Sequence, residues 1–360
     1  MTPPPPSHDG FHGGFHGGPV RWGILATGKI AHTFAQDLLQ FEDAVLTAVG
    51  SRRLETAQAF AASYAAPAGP PRAHGSYAEL AADPDVDVVY IATPHSLHLE
   101  DARLLFAAGK HVLCEKPLTL SAEDGTTMVE LAQQHDRFLM EAMWTACHPT
   151  VIALRERLLT GEFGTPRHLH AELGFVVTAP PTDRMFDPRL GASALLDMGI
   201  YPLTFAQLML GEPEQLVATG DTRSAPGGTF DVDVAIAGRY PGGALATMTA
   251  SITSWSSRRA EIATDRGRIV LAEFHHSTHA VFEPRAAIAD WTDQPVPVEP
   301  VVIEPTTPIV GRGYGNEIAE VNRCLRAGLR ESPLVPHAQT LAVLRQMDEV
   351  RRQIGVAYTD

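Results

Sequence analysis

The chain has few cysteines, a deficit of basic residues and no obvious membrane-spanning run, and each shortage argues against a class of protein. Three cysteines in 360 residues, none in a CxxC pair, argue against a disulfide scaffold and predict reduced, buried thiols. Basic residues number 28 against 42 acidic ones, and the net charge of −14 repels polyanions, so we exclude nucleic acid as a partner. Because we find no apolar run long enough to cross a bilayer, we expect no membrane association.

The first nineteen residues have the composition of a disordered tail. Residues 1–19 contain a proline run and two copies of Phe-His-Gly-Gly, without the basic segment and apolar core of a signal peptide. We therefore expect a cytoplasmic protein.

The rest of the chain is long enough for two domains with separate cores. From residue 20 to 142, apolar strand runs alternate with helical stretches, which predicts βαβ units and a doubly wound parallel sheet. The second predicted domain spans residues 143–360, and from residue 171 onward its pattern changes to short strands, six in all, separated by Gly, Pro and Asp turns. Strands without crossover helices predict an antiparallel sheet. Two helices, at 317–327 and 338–355, are expected to pack the end of this α/β domain.

One lysine stands directly after a predicted strand of the first domain. Residues 111–114 read as a buried strand, and Glu115, Lys116 and Pro117 follow it. In a doubly wound sheet, ligands bind beyond the carboxyl ends of the strands. Lys116 is therefore predicted to reach a ligand crevice, where a fixed cation can hydrogen-bond a substrate hydroxyl and stabilise a developing oxyanion. The alternative is a surface lysine before a turn proline.

The first strand leads into a turn of the kind that binds dinucleotides. Residues 23–31 read Gly-Ile-Leu-Ala-Thr-Gly-Lys-Ile-Ala, a G-x-G-x-x-G/A pattern in which alanine replaces the first glycine. A helix follows, so its first backbone N–H groups can receive a pyrophosphate. The predicted cofactor contacts are Ala26, Thr27, Gly28, Lys29 and Ile30. A purely structural glycine turn is the alternative.

The cofactor prediction continues at the end of the second strand. Ser51, Arg52 and Arg53 stand where an NAD-binding chain carries an acidic residue for the ribose 2′-hydroxyl. A hydroxyl and two guanidiniums suit a 2′-phosphate, because arginine pairs with phosphate in a bidentate manner. The sequence therefore predicts NADP, with NAD as the alternative. One of the two arginines could equally be a solvated residue that opens the next helix.

Another strand end carries Thr93, Pro94 and His95, with His98 one helical turn further on. These residues are predicted to line the nicotinamide side of the crevice. The histidine spacing suits zinc, but no third or fourth ligand accompanies it, so we predict hydrogen bonding near the cofactor and no metal site.

Four segments form a combined pattern. They are residues 23–31, Ala-Thr-Pro-His-Ser-Leu-His at 92–98, Glu-Lys-Pro at 115–117 and Asp-Met-Gly-Ile-Tyr at 197–201. Together they resemble the glucose-fructose oxidoreductase/inositol dehydrogenase (Gfo/Idh/MocA) family. Residues 141–145 and 194–202 are most similar to the branch with dimeric dihydrodiol dehydrogenase and NADP-dependent D-xylose dehydrogenase. The resemblance implies hydride transfer, a Rossmann domain, an α/β domain with an open, mainly antiparallel sheet, and a homodimer or higher homo-oligomer formed through that sheet.

The resemblance also implies acid-base residues. Most relatives end a D-x-x-x-H segment with histidine, whereas this chain has Asp197 and Tyr201. An alcohol that loses a hydride must also lose its hydroxyl proton, so the site needs a base. Tyr201 is the predicted base, with Lys116 lowering its pKa from about 10 and Asp197 positioning Lys116 or a substrate hydroxyl. Pro202 places the pair at a helix start or kink. The alternatives are a packed aromatic and an N-cap.

Aromatic residues are predicted to wall the substrate pocket, because aromatic faces stack on sugars and hydroaromatic rings. They are Trp144, Phe175, Trp255 and Phe274, with core packing as the alternative for each. Glu115 and Trp144 are also predicted to contact the cofactor.

Two further positions bear on the substrate. The branch usually has arginine after Trp-Thr, whereas this chain has Ala146 there. Any substrate contact that the arginine makes is therefore either missing in this chain or made by His148. We interpret His275, His276 and His279 as a solvated polar loop.

The leading hypothesis is an NADP-dependent dehydrogenase that acts on a secondary alcohol or hemiacetal of a sugar, polyol or cyclic diol. One alternative keeps the fold but uses transient oxidation to hydrolyse or epimerise a sugar. Another is a non-catalytic NADP-binding sensor.

Overall fold

The computed structural model describes residues 18–65, 69–180, 182–288 and 298–356. The predicted tail therefore lies almost entirely outside the described residues. Two sheets organise the described chain, one of six strands and one of eight.

The first sheet is parallel throughout, in the order β3-β2-β1-β4-β5-β6. Its elements in chain order are β1 (Val20–Leu25), α1 (Lys29–Leu38), β2 (Ala44–Gly50), α2 (Leu54–Ala62), β3 (Arg72–His74), α3 (Tyr77–Ala81), β4 (Val88–Ile91), α4 (His98–Ala107), β5 (His111–Glu115), α5 (Ala122–Gln134) and β6 (Leu139–Ala142). Every residue of β4 is buried, as expected of a strand covered on both faces. The predicted Rossmann sheet is confirmed.

The edge strand β3 was not predicted. It has only three residues, Arg72, Ala73 and His74, none of them fully buried, so it carries no apolar run. Its pairing with β2 is a tertiary event that local pattern does not reveal.

The second sheet has the order β14-β13-β12-β11-β7-β10-β9-β8. Its part of the chain contains α6 (Trp144–Cys147), α7 (Pro149–Leu159), β7 (Pro166–Gly174), α8 (Ile200–Leu210), β8 (Gln215–Ala225), β9 (Gly228–Arg239), β10 (Leu245–Ser251), β11 (Ala260–Thr264), β12 (Gly267–Leu271), β13 (Ala280–Pro284), β14 (Val301–Ile303), α9 (Tyr314–Arg326) and α10 (His337–Ile354). Only β7 and β10 pair in parallel, so the expected mainly antiparallel sheet is confirmed.

Helices cover one face of this sheet and leave the other open. In β10, Ala246, Met248 and Ala250 are buried on the helix side, whereas Leu245 and Thr247 on the other face are exposed. This alternation is the period of two that a half-buried strand requires.

One segment corrects an expectation. Pro188–Leu210 has 23 residues, and its most apolar 18-residue window has a mean hydropathy of 1.2, so by length and composition it could cross a membrane, contrary to the expectation from the sequence. Its most apolar window is 89% buried inside the protein, which is how the core helix of a globular domain also meets that test. Its apolarity therefore has a packing explanation.

The last two helices return to the first domain. The buried carboxylate of Asp37 on α1 accepts hydrogen bonds from the backbone N–H groups of Arg312, Tyr314 and Gly315 at 2.8–3.2 Å, which anchors the start of α9. On α10, Thr340 donates to Glu141 at 3.0 Å. These contacts bring the start of α9 close to the strand ends. The predicted buried, unpaired thiols of the three cysteines are also found.

Candidate active site

Lys116, Asp197 and Tyr201 come together, although 81 residues separate the first two. Lys116 follows β5, and its Nζ donates to the backbone oxygen of Asp197 at 3.0 Å and lies 3.8 Å from Asp197 Oδ1. The same ammonium lies over the Tyr201 ring, 5.1 Å from the centroid. The structure therefore assembles the three residues that sequence reasoning assigned to catalysis.

A π-helical turn presents Asp197 and Tyr201. It spans Leu195–Gly199 and runs directly into α8, whose first turn contains Pro202. Because the π turn continues directly into α8, the missing N–H of Pro202 removes one backbone hydrogen bond from a continuous helical segment, and π turns often mark functional sites. Pro202 therefore lies just after the point where the π turn meets α8, which agrees with the helix start or kink expected there.

A buried carboxylate holds the start of that turn. Asp231 on β9 accepts hydrogen bonds from Ser193 Oγ and from the Leu195 backbone N–H, both at 2.6 Å. Ser193 Oγ also accepts a hydrogen bond from the Leu196 N–H at 3.0 Å. The second sheet therefore fixes where Asp197 and Tyr201 lie.

The environment of Tyr201 corrects the expected direction of its pKa. Tyr201 is 8% exposed, and its hydroxyl accepts a hydrogen bond from Trp144 Nε1 at 2.9 Å. Burial, followed by the nearby carboxyl of Glu115, raises the pKa of the phenol well above its ordinary value, and the bond from Trp144 offsets only part of this. The expected lowering by Lys116 is wrong, because burial and the acidic neighbours prevail.

Asp197 is a buried carboxylate surrounded by cations. It is 3% exposed and accepts hydrogen bonds from Arg184 at 3.2 and 3.4 Å. Burial would raise the pKa of Asp197, but the positive charges of Arg184 and Lys116 lower it below the ordinary value. Arg184 was missed, because it lies in an irregular segment whose position relative to Asp197 only the tertiary structure defines.

The histidines after β4 have different surroundings. His95 Nε2 lies 3.7 Å from Asp197 Oδ1, and burial lowers the pKa of His95 to about 3, so this imidazole is neutral at neutral pH. His98 is fully buried, and its ring nitrogens lie 3.0 Å from the backbone oxygens of Pro117 and Thr93. His98 thus connects the two loops that follow β4 and β5, and its buried ring cannot contact a cofactor. The prediction that His98 binds the cofactor is therefore wrong. Thr93 is likewise engaged, because its hydroxyl donates to Asp101 at 2.7 Å.

The predicted dinucleotide turn has an accessible backbone. Ala26 adopts φ +87°, a conformation that glycine adopts at little cost, and Gly28 precedes the first residue of α1, Lys29. No side chain caps this helix, and the space beside Gly28 is open for at least 4 Å among the described residues. Thr27 and Ile30 are half-buried beside them. Uncapped N–H groups beside open space fit a pyrophosphate.

The end of β2 presents two unpaired guanidiniums. Arg52 and Arg53 are exposed, and neither forms an ion pair with any described residue. Ser51 is buried and shares a hydrogen bond of 2.6 Å with Thr56. The two arginines are therefore available to an anionic group at this strand end.

Beneath the crevice, Glu115 and Trp144 are held by aromatic residues. Glu115 accepts hydrogen bonds from the Tyr90 hydroxyl and, at 3.1 Å, from the Lys116 N–H. Trp144 stacks on Tyr314, with ring centroids 5.2 Å apart. At Gly313, with φ +121°, any Cβ would lie 2.2 Å from the Trp144 ring, so glycine is required there. The packing of Tyr314 and Gly313 against Trp144 was not predicted from the sequence.

The predicted aromatic wall is only partly assembled. Trp144 lies beside Tyr201, but Phe274 is fully buried in the core against Phe205, so its assignment to the substrate wall is wrong. Trp255 is 72% exposed and pairs with Phe175 beside the open face of the second sheet. Within the described part of the chain, neither ring forms a ring or cation–π contact with Tyr201 or Lys116.

Histidines take the place of the missing aromatics. The ring centroid of His275 lies 5.6 Å from that of Tyr201, and those of His275 and His276 lie 5.9 and 5.6 Å from that of Trp144. The interpretation as a solvated loop is therefore wrong for His275, whereas His276, with its side chain 35% exposed, and His279 do contact solvent. His148 is only 1% exposed.

Comparison with known proteins agrees with this geometry. The model of an oxidoreductase family with an NAD-binding Rossmann fold, GFO/IDH/MocA, matches residues 20–143, and that of the GFO/IDH/MocA C-terminal domain matches residues 151–270. The chain belongs to the Gfo/Idh/MocA oxidoreductase family. It is thus a nicotinamide-dependent dehydrogenase that acts on CH–OH groups.

Among curated members of the Gfo/Idh/MocA family, the trans-1,2-dihydrobenzene-1,2-diol dehydrogenases of Danio rerio and Mus musculus are 34% and 35% identical to this chain. The alignments cover 94% of the chain and 98% of each relative. Solved structures show the same fold at lower identity. An aldose-aldose oxidoreductase from Caulobacter crescentus has a TM-score of 0.79 at 23% identity, covering 93% of this chain and 97% of that one. A 3-ketoreductase from Actinomadura kijaniata in complex with NADP has a TM-score of 0.75 at 23% identity, covering 93% and 98%.

Proposed function

We propose that this Gfo/Idh/MocA oxidoreductase transfers a hydride between the nicotinamide of NADP and a secondary alcohol or hemiacetal of a sugar, polyol or cyclic diol. The observation that carries the proposal is the grouping of Lys116, Asp197 and Tyr201 just beyond the end of β5. The names of its relatives, diol dehydrogenases and a sugar oxidoreductase, support this range of substrates.

The residues present fit a dinucleotide. The turn at 26–30 would hold the pyrophosphate through uncapped backbone N–H groups, and Arg52 and Arg53 would hold a 2′-phosphate. When bound, the nicotinamide supplies the acceptor or donor of the hydride.

Tyr201 would exchange the proton. In reduction of a carbonyl, its neutral phenol donates the proton to the oxygen of the new alcohol, and the raised pKa of Tyr201 suits this direction. In oxidation it must first lose its proton, so turnover is expected to rise with pH. Lys116 stabilises negative charge on the substrate oxygen in both directions, while Asp197 and Arg184 hold the ammonium and its surroundings in place.

The test of this function is an NADP-reduction screen at alkaline pH against aldoses, inositols and dihydrodiols. Tyr201→Phe and Lys116→Ala should each lower kcat by at least a hundredfold, since general acid-base catalysis typically contributes about 10²–10⁴-fold. Tyr240→Phe is the matched control, because this tyrosine is also buried and its hydroxyl has no partner among the described residues. Normal turnover by Tyr201→Phe would refute the assignment.

The preference for NADP over NAD rests on Arg52 and Arg53. Replacing both by alanine should raise KM for NADP at least tenfold and leave KM for NAD nearly unchanged, because only NADP carries the 2′-phosphate. A wild-type enzyme that prefers NAD would contradict the proposal.

We also propose a homodimer formed through the open face of the second sheet, where Val217 and Leu245 are exposed. Size-exclusion chromatography with light scattering would test it, with Leu245→Glu expected to give monomers. A cytoplasmic location, consistent with three free thiols, stays a prediction.

A further inference from the structure

Three histidines form a cluster beside the catalytic tyrosine. This imidazole cluster consists of His148, His275 and His276. The rings of His275 and His276 are in edge contact with each other, their centroids 4.3 Å apart. The His275 ring is also in edge contact with Tyr201, at 5.6 Å between centroids. The cluster therefore adjoins the position where the reacting carbon would bind.

The backbone and the tryptophan hold His275 in place. Thr145, which follows Trp144 on α6, donates its hydroxyl to the backbone oxygen of His275 at 2.9 Å. The neighbouring Phe274 is buried against Phe205, which anchors this short 3₁₀ helix in the core. His275 thus has the fixed position that a recognition residue needs.

The rings at the centre of the cluster are neutral. Burial, followed by the neighbouring histidines, lowers the pKa of His275 to about 3 and that of His148 to about 4. A neutral imidazole offers one N–H donor and one bare nitrogen as acceptor. Among the described residues, no three His, Cys, Asp or Glu side chains are placed to hold a metal ion.

Hydrogen-bonding capacity in the cluster is unfilled. The Nδ1 atoms of His148 and His275 are buried without a partner among the described residues. The other ring nitrogen of His275, Nε2, also has no hydrogen-bond partner within the described chain. Unlike Nδ1 it is accessible, because the residue is only half-buried. Because Nδ1 finds no acceptor, the proton of neutral His275 is favoured on Nε2, which leaves an accessible N–H donor near Tyr201.

We propose that His275, supported by His148 and His276, is the specificity-determining wall of the substrate site and selects substrates that carry a further hydroxyl group near the reacting carbon, as sugars and cyclic polyols do. This inference rests on the proposed function and narrows its substrate class. A neutral donor binds a hydroxyl oxygen well, whereas an apolar ring face leaves the donor unpaired and is therefore disfavoured.

The test compares substitutions at His275 on two substrates, D-xylose and tetrahydropyran-2-ol, a cyclic hemiacetal without any further hydroxyl, with kcat/KM as the readout. His275→Phe keeps a planar ring without the donor, and His275→Asn restores a donor. We expect His275→Phe to lower kcat/KM for xylose roughly ten- to a hundredfold and to change that for tetrahydropyran-2-ol less than threefold, with His275→Asn recovering much of the loss. An equal loss on both substrates, or no loss on xylose, would overturn the inference.

A binding measurement separates this inference from the proposed function. Thermal stabilisation of the NADP-bound enzyme by xylose and by myo-inositol is measured for wild type and for His275→Phe. If wild type binds these compounds and His275→Phe binds them at least tenfold more weakly, the role of His275 in substrate selection is supported. That conclusion holds even if no NADPH forms and the proposed reaction fails. Equal binding by both proteins, or no binding of either polyol to wild type, overturns it. His279→Phe, an exposed histidine outside the cluster, is the control and should behave as wild type.

Discussion

The carboxyl of Glu317 is an unusual feature of the core, and its removal should stabilise the protein. Glu317 on α9 is fully buried, and neither carboxylate oxygen has a hydrogen-bond partner among the described residues. Burial, followed by the carboxyls of Glu115 and Asp37, raises the pKa of Glu317 well above its ordinary value of about 4.5. A buried polar group left unpaired costs roughly 1–3 kcal/mol. Glu317→Met, which has a similar volume and no polar atom, should recover about that amount.

The effect depends on pH in a definite direction. The folded state keeps the Glu317 proton above pH 4.5, whereas the unfolded chain releases it, so rising pH favours unfolding of the wild type. The Met variant lacks this titration. Its advantage should therefore be smallest below pH 4.5 and grow from there up to the raised pKa of the folded carboxyl.

Thermal unfolding measured at pH 4, 6 and 8 tests this reasoning. A gain of about 1–3 kcal/mol raises the melting temperature by roughly 2–4 °C per kcal/mol in a protein domain of 150–250 residues. Glu130→Met, at an exposed position of α5, is the control and should shift stability by less than about 0.5 kcal/mol. A wild type more stable than Glu317→Met at pH 8, or an advantage that does not grow with pH, would show that the carboxyl is ionised and well solvated.

Three other predictions concern the framework and the pH profile. Asp231→Ala removes the acceptor for Ser193 and Leu195 and should lower the free energy of unfolding by about 1–3 kcal/mol, as measured by denaturant unfolding. It should also lower kcat in steady-state kinetics, and an unchanged kcat would contradict the role of this carboxylate. Asp37→Ala frees three N–H groups at the start of α9 and should cost at least about 2 kcal/mol, a loss that Asp37→Asn recovers in part. Burial lowers the pKa of His95 and of His275 to about 3, so the pH profile of alcohol oxidation should show no inflection near pH 6.5. The rate should instead rise into the alkaline range as Tyr201 loses its proton. A bell-shaped profile centred near neutral pH would contradict this mechanism.

Much of the fold followed from local pattern. Apolar runs that alternate with helical stretches predicted the parallel sheet, and the strand predicted at 111–114 lies within the observed β5, His111–Glu115. The sequence also predicted the glycine-containing turn after β1. Elements without an apolar run were not predicted. One of them is β3, whose three residues form a strand only through pairing with the free edge of β2. Pro188–Leu210 was not predicted as an apolar segment because Asp197, glycines and prolines interrupt its apolar residues in the sequence, whereas the fold buries most of them together.

The sequence by itself determined the chemistry that follows a strand end, because parallel strands deliver their next residues to one edge of the sheet. Lys116 after β5, the turn at 26–30 and the arginines after β2 were all found in this way. The tertiary structure alone decided which distant side chains surround them. It placed Arg184 on Asp197, put His275 rather than Phe274 beside Tyr201, and raised the phenol pKa through burial. Contacts across long loops and the exclusion of water are properties of the whole packed chain, so no local spacing carries them.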